Sequence, residues 1–155
     1  MKRILFVCTG NTCRSAMAEG LFKKMIEDMG KEDEIEVSSC GIAAVDGMPA
    51  SLNAQKVAKE YGIDISSHRS RLLKKHLLEA DLILTMTKSH KDFIINKFPD
   101  TKGRVFVLGE FADTSCADDD IDIDDPFGRD EEVYRKVAEQ IKSKLQHIIN
   151  RLLNN

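Results

Sequence analysis

Short, largely apolar runs alternate along this chain with stretches whose apolar residues recur at helical spacing. Four runs predict buried strands, at residues 4–7, 35–39, 82–86 and 105–108. Five stretches predict helices, at residues 15–29, 52–61 and 71–79, before Pro99, and at residues 133–152. Strands that alternate with helices pair in parallel, with helices on both faces of the sheet. The pattern therefore predicts a single doubly wound α/β domain, residues 1–155, with a four-stranded parallel sheet flanked by helices.

The composition fits one soluble domain. The chain has 155 residues, of which 32% are charged, and its net charge of −3 argues against a dedicated binder of nucleic acid or acidic membranes. The N-terminal apolar run, residues 4–7, is shorter than the apolar region of a signal peptide, and no run reaches the roughly 20 residues of a membrane span. We therefore expect a cytoplasmic protein with reduced thiols, in which Cys40 and Cys116 are small buried hydrophobic residues.

The segment CTGNTCRS, residues 8–15, joins the first predicted strand to the first helix. A loop that enters a helix N-terminus turns unpaired backbone N–H groups inward, and the helix dipole adds partial positive charge. Gly10 lets the backbone bend closely around an oxyanion, and Asn11 tolerates a left-handed conformation. Arg14 offers a planar fork that suits two phosphate oxygens. These features predict an anion cradle.

Cys8 opens this loop, and the same field favours its thiolate, which is the nucleophilic form. A hydrogen bond from Ser15 would steady the sulfur. A nucleotide P-loop fits less well because it ends in Gly-Lys-Ser/Thr, and no lysine occurs here. A zinc site would use Cys8 and Cys13, but no second Cys or His pair stands at matching spacing. An ordinary strand-to-helix turn does not require both a cysteine and an arginine, although the C-x5-R-S spacing alone is only moderately specific.

Transfer of a phosphoryl group to a thiolate also needs a proton for the leaving group, and six aspartates crowd residues 118–125. Such a run is usually a solvated loop, and we adopt that interpretation for five of them. A calcium loop matches poorly, because the glycine of its sharp turn and its spaced glutamate are missing. Asp125 differs, since Pro126 pushes it toward an extended conformation. We therefore predict that Asp125 is the general acid.

CTGNTCRS after the first strand, together with DPFG at residues 125–128, resembles the low-molecular-weight protein tyrosine phosphatase family over essentially the whole chain. The resemblance implies that Cys8 is the nucleophile, Arg14 binds the phosphoryl group and Asp125 is the general acid. It also implies a phosphate-binding loop and a hydrogen-bonded scaffold. The loop comprises Thr9, Gly10, Asn11, Thr12, Cys13, Arg14 and Ser15, and the scaffold comprises Asn11, Ser15, Ser39 and His68.

The resemblance further implies a two-step mechanism without a metal or another cofactor. Cys8 attacks phosphorus while Asp125 protonates the leaving group, and Asp125 then acts as base toward water on the cysteinyl-phosphate. Arg14 and the loop N–H groups stabilise the equatorial oxygens. The expected partners are phosphorylated proteins, with inorganic phosphate or other oxyanions in the loop and neither nucleic acid nor membrane. We expect the protein to act as a monomer.

Two positions bear on the substrate. Family members that act on phosphotyrosine commonly carry an aliphatic residue where this loop has Thr12, and a threonine there resembles the bacterial protein-arginine phosphatases. Phe127 replaces a tyrosine that often follows the Asp-Pro pair, and the segment AAVDG offers no aromatic residue to flank a phosphotyrosine ring. Phosphoarginine is therefore favoured, with phosphotyrosine as the close alternative.

Two further alternatives come from other classes of protein. Thioredoxin-coupled arsenate reductases share a similar loop, but they relay a disulfide through two cysteines near the third strand, where this chain reads LILTMTKSHKDF. An anion sensor without activity would not need Cys8, Arg14 and Asp125 together. The family resemblance also implies that Cys13 can form a reversible disulfide with Cys8.

Overall fold

The computed structural model describes residues 2–112 and 121–153 and has the predicted α/β architecture. Its four strands pair in parallel in the order β2-β1-β3-β4. The strands are β1 (Lys2–Cys8), β2 (Ile35–Gly41), β3 (Leu82–Thr85) and β4 (Val105–Val107). The helices are α1 (Arg14–Asp28), α2 (Leu52–Glu60), α3 (Lys88–Lys97), α4 (Leu108–Ala112) and α5 (Glu131–Leu153), with 3₁₀ turns at Lys75–Glu79 and Pro99–Thr101. The prediction of a four-stranded parallel sheet flanked by helices is confirmed.

In the central strand β1, residues 4–8 are apolar and buried because helices cover both faces of the sheet. Ile4 and Phe6 belong to the apolar cluster that includes α1 and α5, and the ring of Phe6 meets that of Phe22 edge-on at 5.7 Å. Leu5 and Val7 belong to the cluster on the other face, together with Ile94 of α3. The continuous apolar run follows from this burial on two sides. Because β1 lies between β2 and β3, its end lies at the centre of the sheet's carboxyl edge.

The predicted helix at residues 71–79 is wrong in its first half. Residues 71–73 instead run beside the end of β2, where the Gly41 N–H donates to the Arg71 carbonyl and the Leu73 N–H donates to the Gly41 carbonyl, both at 2.9 Å. This pairing removes the backbone groups that a helix would use, so only the 3₁₀ turn Lys75–Glu79 forms.

The chain after β4 also differs from the prediction. The strand predicted at residues 105–108 ends at Val107, and Leu108 begins the short helix α4, which the sequence pattern did not indicate. The Glu110 carboxylate accepts a hydrogen bond from the Val107 N–H at 3.1 Å and so supports this turn.

The two cysteines predicted to be small buried hydrophobic residues have different outcomes. Cys40 is a free, fully buried thiol, as predicted. The prediction for Cys116 and the solvated-loop interpretation of residues 118–120 lie outside the described residues.

None of the helices within residues 2–112 and 121–153 has both the length and the apolar character that crossing a membrane requires.

Candidate active site

The segment CTGNTCRS forms a loop at the carboxyl edge of the sheet, between the end of β1 at Cys8 and the start of α1 at Arg14. The chain after β2 holds the start of this loop, because the Ile42 N–H donates to the Cys8 carbonyl at 2.9 Å and the Ala43 N–H donates to the Thr9 carbonyl at 3.0 Å. Gly41 makes this approach possible, since a Cβ at that position would lie 2.4 Å from the Thr9 carbonyl oxygen. The sequence analysis did not single out Gly41.

The Cys8 thiol lies at the base of this loop and is almost fully buried, with 3% of the residue exposed. Its sulfur lies 2.8 Å from Ser15 Oγ and accepts a hydrogen bond from the Asn11 N–H at 3.2 Å. The loop therefore places two hydrogen-bonding groups against the sulfur.

Asn11 organises the loop around Cys8. Its φ of 58° is the left-handed conformation that asparagine tolerates. Its Oδ1 accepts from the Arg71 N–H at 2.9 Å, so its Nδ2 donates to Ser15 Oγ at 2.8 Å and to Ser39 Oγ at 2.9 Å. Because Ser15 accepts from the amide, its own proton is left to donate to the Cys8 sulfur. Leaving any of these buried groups unpaired would cost roughly 1–3 kcal/mol.

A second layer of contacts supports Asn11. His68 Nε2 donates to the Asn11 carbonyl at 2.7 Å, and Ser39 Oγ donates to Glu19 Oε1 at 2.7 Å. The Arg71 guanidinium donates to the Ser39 carbonyl at 3.1 and 3.2 Å. The structure thus brings the predicted residues Ser39 and His68 to the loop, and it adds Glu19 and Arg71, which the sequence analysis missed.

Arg14 and Asp125 face each other across the loop. Arg14 is buried, with 4% of the residue exposed, and its Nη1 donates to the Ile123 carbonyl at 2.9 Å. Its Nη2 lies 3.6 Å from Asp125 Oδ2, while the Asp125 side chain remains 53% exposed. Asp125 Oδ1 also accepts from the Phe127 N–H at 3.1 Å. The carboxyl group is therefore held beside the guanidinium and still reaches solvent.

A cavity of about 200 Å³ opens above the Cys8 sulfur. Thr12 lies in its wall, and Phe127, which is 72% exposed, lies at its mouth. The lining residues are Cys8, Thr9, Gly10, Asn11, Thr12, Cys13, Arg14, Asp125 and Phe127. All the residues predicted to carry chemistry or selectivity therefore meet in one space.

Cys13 makes contacts that the sequence analysis did not anticipate. Its buried sulfur lies 3.2 Å from the Tyr134 hydroxyl of α5 and 3.7 Å from Ser51 Oγ, at the start of α2. Burial, together with the hydrogen bond to Cys13, raises the pKa of Tyr134 to about 12, so its hydroxyl keeps its proton near neutral pH. The Ser51 N–H also donates to the Thr12 carbonyl at 3.0 Å, which fixes the outer half of the loop.

Comparison with known proteins places the chain in a family. Residues 3–155 match the model of the low molecular weight phosphotyrosine protein phosphatase family, and the chain belongs to that family. It is 40% identical to a protein-arginine-phosphatase of Geobacillus stearothermophilus, over 97% of this chain and 95% of that protein. It is 37% identical to the low molecular weight protein-tyrosine-phosphatase PtpB of Staphylococcus haemolyticus, over 99% of both chains.

A solved structure is also similar to this chain. It is a cysteine-to-serine mutant of YwlE arginine phosphatase with a phosphorylated active site serine. The TM-score is 0.91 at 35% sequence identity, with 99% of this chain and 97% of that chain covered. The family and the relatives are protein phosphatases, with arginine and tyrosine both represented among their names.

Proposed function

We propose that this protein is a cysteine-dependent protein phosphatase that hydrolyses phosphoarginine in preference to phosphotyrosine. The observation that carries the proposal is the placement of the Cys8 sulfur, 2.8 Å from Ser15 Oγ, at the base of a cavity lined by Arg14 and Asp125. This arrangement supplies a nucleophile, an anion-binding cation and an acid within one cavity of about 200 Å³.

In the first proposed step, the Cys8 thiolate attacks phosphorus, so that an S–P bond forms while the P–N bond of phosphoarginine breaks. Asp125 gives its proton to the leaving guanidine nitrogen. In the second step, water attacks phosphorus, Asp125 takes the proton of that water, and the sulfur leaves as thiolate. Arg14 and the N–H groups of the loop stabilise the charge on the phosphoryl oxygens in both steps. The 53% exposure of the Asp125 side chain supports its exchange of protons with solvent.

The proposal extends to the whole chain and its setting. Residues 1–155 form one phosphatase domain, which acts as a monomer in the cytoplasm on phosphorylated proteins and holds inorganic phosphate or other oxyanions in the same loop. The match of the family model to residues 3–155 supports the single domain.

Selectivity is assigned to the wall and the mouth of the cavity. The hydroxyl of Thr12 suits the polar guanidinium of phosphoarginine, whereas an aliphatic side chain there suits the ring of phosphotyrosine. Phe127 offers an apolar surface at the mouth. The similarity to a protein whose name is protein-arginine-phosphatase supports this choice, and the similarity to PtpB keeps phosphotyrosine as the alternative.

Thr12→Ile is expected to lower kcat/KM for a phosphoarginine peptide and to raise it for a phosphotyrosine peptide. The ratio of the two values should shift by about tenfold or more, since pocket changes of one or two groups are worth 10–200-fold in discrimination. Steady-state kinetics on both peptides measure the shift. Thr12→Val is the matched control, because it removes the hydroxyl and keeps the shape. A wild-type preference for phosphotyrosine that neither substitution changes would overturn the arginine assignment.

Cys8 and Cys13 are also proposed to form a reversible disulfide when a peroxide oxidises the enzyme. The peroxide converts the Cys8 thiolate to a sulfenic acid, and the Cys13 thiolate then displaces hydroxide from that sulfur. The Cys13 sulfur lies 3.2 Å from the Tyr134 hydroxyl in the reduced protein. Peptide mapping should find a Cys8–Cys13 crosslink that a thiol reductant reverses together with the loss of activity. Irreversible inactivation without that crosslink would contradict the proposal.

A further inference from the structure

His90 lies in the first turn of α3 and contacts the loop from the side opposite α1. It is buried, with 3% of the residue exposed. Its Nε2 lies 2.9 Å from Thr9 Oγ1, and its Nδ1 lies 3.0 Å from Oγ1 of Thr87, the N-cap residue of α3. A chain of three polar side chains therefore runs from the start of α3 to the first residue after Cys8.

The His90 ring is neutral near pH 7. Burial, together with the positive charge of Arg14, lowers the pKa of His90 to about 4, although the charges of Asp122 and Asp125 act in the opposite direction. A neutral imidazole donates from one ring nitrogen and accepts at the other. His90 thus offers Thr9 a directional hydrogen bond rather than a charge.

Thr9 is held from two sides. Its carbonyl accepts from the Ala43 N–H at 3.0 Å. The end of β2 lies close to this carbonyl, since a Cβ at Gly41 would be only 2.4 Å from its oxygen. Its hydroxyl contacts His90 of α3. This helix packs on the face of the sheet opposite α1. Thr9 also lines the cavity above Cys8. Its position therefore sets the first turn of the loop that surrounds the anion.

We infer that His90 is a positioning residue for oxyanion binding, acting through the Thr9 hydroxyl on the first turn of the loop. The inference rests on the proposed function, because it assigns His90 to the site that would hold the phosphoryl group. Loss of the His90–Thr9 hydrogen bond releases this turn, so that its N–H groups no longer converge on the phosphate oxygens. His90 itself touches neither the phosphoryl group nor the reacting atoms.

Substituting His90 by glutamine or by asparagine tests its two ring contacts separately. Glutamine places a polar atom near the position of Nε2, so His90→Gln keeps the contact with Thr9. Asparagine places one near the position of Nδ1, so His90→Asn keeps the contact with Thr87 and loses Thr9. Thr9→Val removes the same hydrogen bond from the exposed end, and it keeps the test informative should His90→Asn fail to fold.

Binding of inorganic phosphate, measured by titration calorimetry with thermal unfolding alongside, tests the inference without turnover. His90→Asn and Thr9→Val should each weaken phosphate binding by about tenfold, and His90→Gln should stay within about threefold of wild type. The double variant His90→Asn/Thr9→Val should bind no more weakly than the weaker single variant, since both remove one shared contact. The melting temperatures of these variants should not rank in the same order as their affinities for phosphate.

Three results would overturn the role of His90. These are wild-type phosphate affinity in Thr9→Val, equal affinities in the folded Asn and Gln variants of His90, and additive losses in the double variant. A wild-type protein that binds phosphate but hydrolyses neither phosphoarginine nor phosphotyrosine would instead contradict the proposed function, and the assignment of His90 would stand.

Discussion

Cys8→Ser is expected to lose about 10⁴–10⁶-fold in kcat on every phosphorylated substrate, the range seen when an enzyme loses one member of a catalytic triad. A serine oxygen is a far weaker nucleophile than a thiolate at neutral pH. The fold should persist, because the hydroxyl keeps Ser15 Oγ and the Asn11 N–H as partners, which lie 2.8 and 3.2 Å from the sulfur. Steady-state hydrolysis of a phosphoarginine peptide and of an aryl phosphate, with melting temperatures, measures both effects.

Cys40→Ala is the matched control for Cys8→Ser. Cys40 lies on the neighbouring strand β2 and pairs in register with Val7, one residue before Cys8. Its burial raises the pKa of its thiol to about 12, so it stays protonated and inert. Cys40→Ala should therefore keep kcat within about threefold of wild type. Activity near wild type in Cys8→Ser, or an equal loss in Cys40→Ala, would refute Cys8 as the nucleophile.

Asp125→Asn is expected to reduce kcat by about 10²–10⁴-fold, the usual contribution of a general acid. Asparagine has the size of aspartate and can still accept from the Phe127 N–H through Oδ1, so the segment should keep its shape. It cannot give a proton to the leaving group. The loss in kcat/KM should therefore grow along a series of aryl phosphates as the phenol becomes less acidic. The measurement is kcat/KM across that series, because it reports the step in which the phenol leaves and not the later attack of water.

Asp124→Asn is the control for this second prediction. Asp124 is the exposed neighbour of Asp125 and has the same side chain. The ion pair that reaches the site joins Arg14 Nη2 to Asp125 Oδ2 at 3.6 Å. Asp124→Asn should change kcat by no more than about threefold, as expected of a surface substitution. Equal losses from the two variants, or a loss in kcat/KM from Asp125→Asn that does not depend on the leaving group, would remove Asp125 from the role of acid.

The parts of the site that the sequence predicted are those whose signals are local. The loop of residues 8–15 carries its glycine, its arginine and its position between a strand and a helix within eight residues. Asp125 stands out because Pro126 follows it directly. The sheet is predicted for the same reason, since burial on both faces leaves an apolar run wherever a central strand occurs.

The parts that the sequence did not predict depend on contacts between distant positions. Tyr134 meets Cys13 across 121 residues, and His90 meets Thr9 across 81. Nothing in their neighbouring residues distinguishes them from ordinary helix positions. The need for glycine at position 41 becomes visible only in the structure, where the Thr9 carbonyl oxygen lies close to this residue.

The failure at residues 71–79 has the same origin. A helical pattern was present in this segment, but the backbone at residues 71–73 pairs with Gly41 at the end of β2. A non-local partner thus replaced the local hydrogen bonds on which helix prediction depends.

The central claim, a cysteinyl-phosphate formed from phosphoarginine, is tested most directly by a rapid-quench experiment on the wild-type enzyme. The enzyme is mixed with a phosphoarginine peptide, quenched within a single turnover, digested and examined by mass spectrometry. The proposed mechanism predicts a phosphorylated peptide that contains Cys8, forms before inorganic phosphate is released, and decays at the rate of that release. Release of phosphate with no phosphorylated Cys8 at any time, or with the phosphoryl group on another residue, would contradict it.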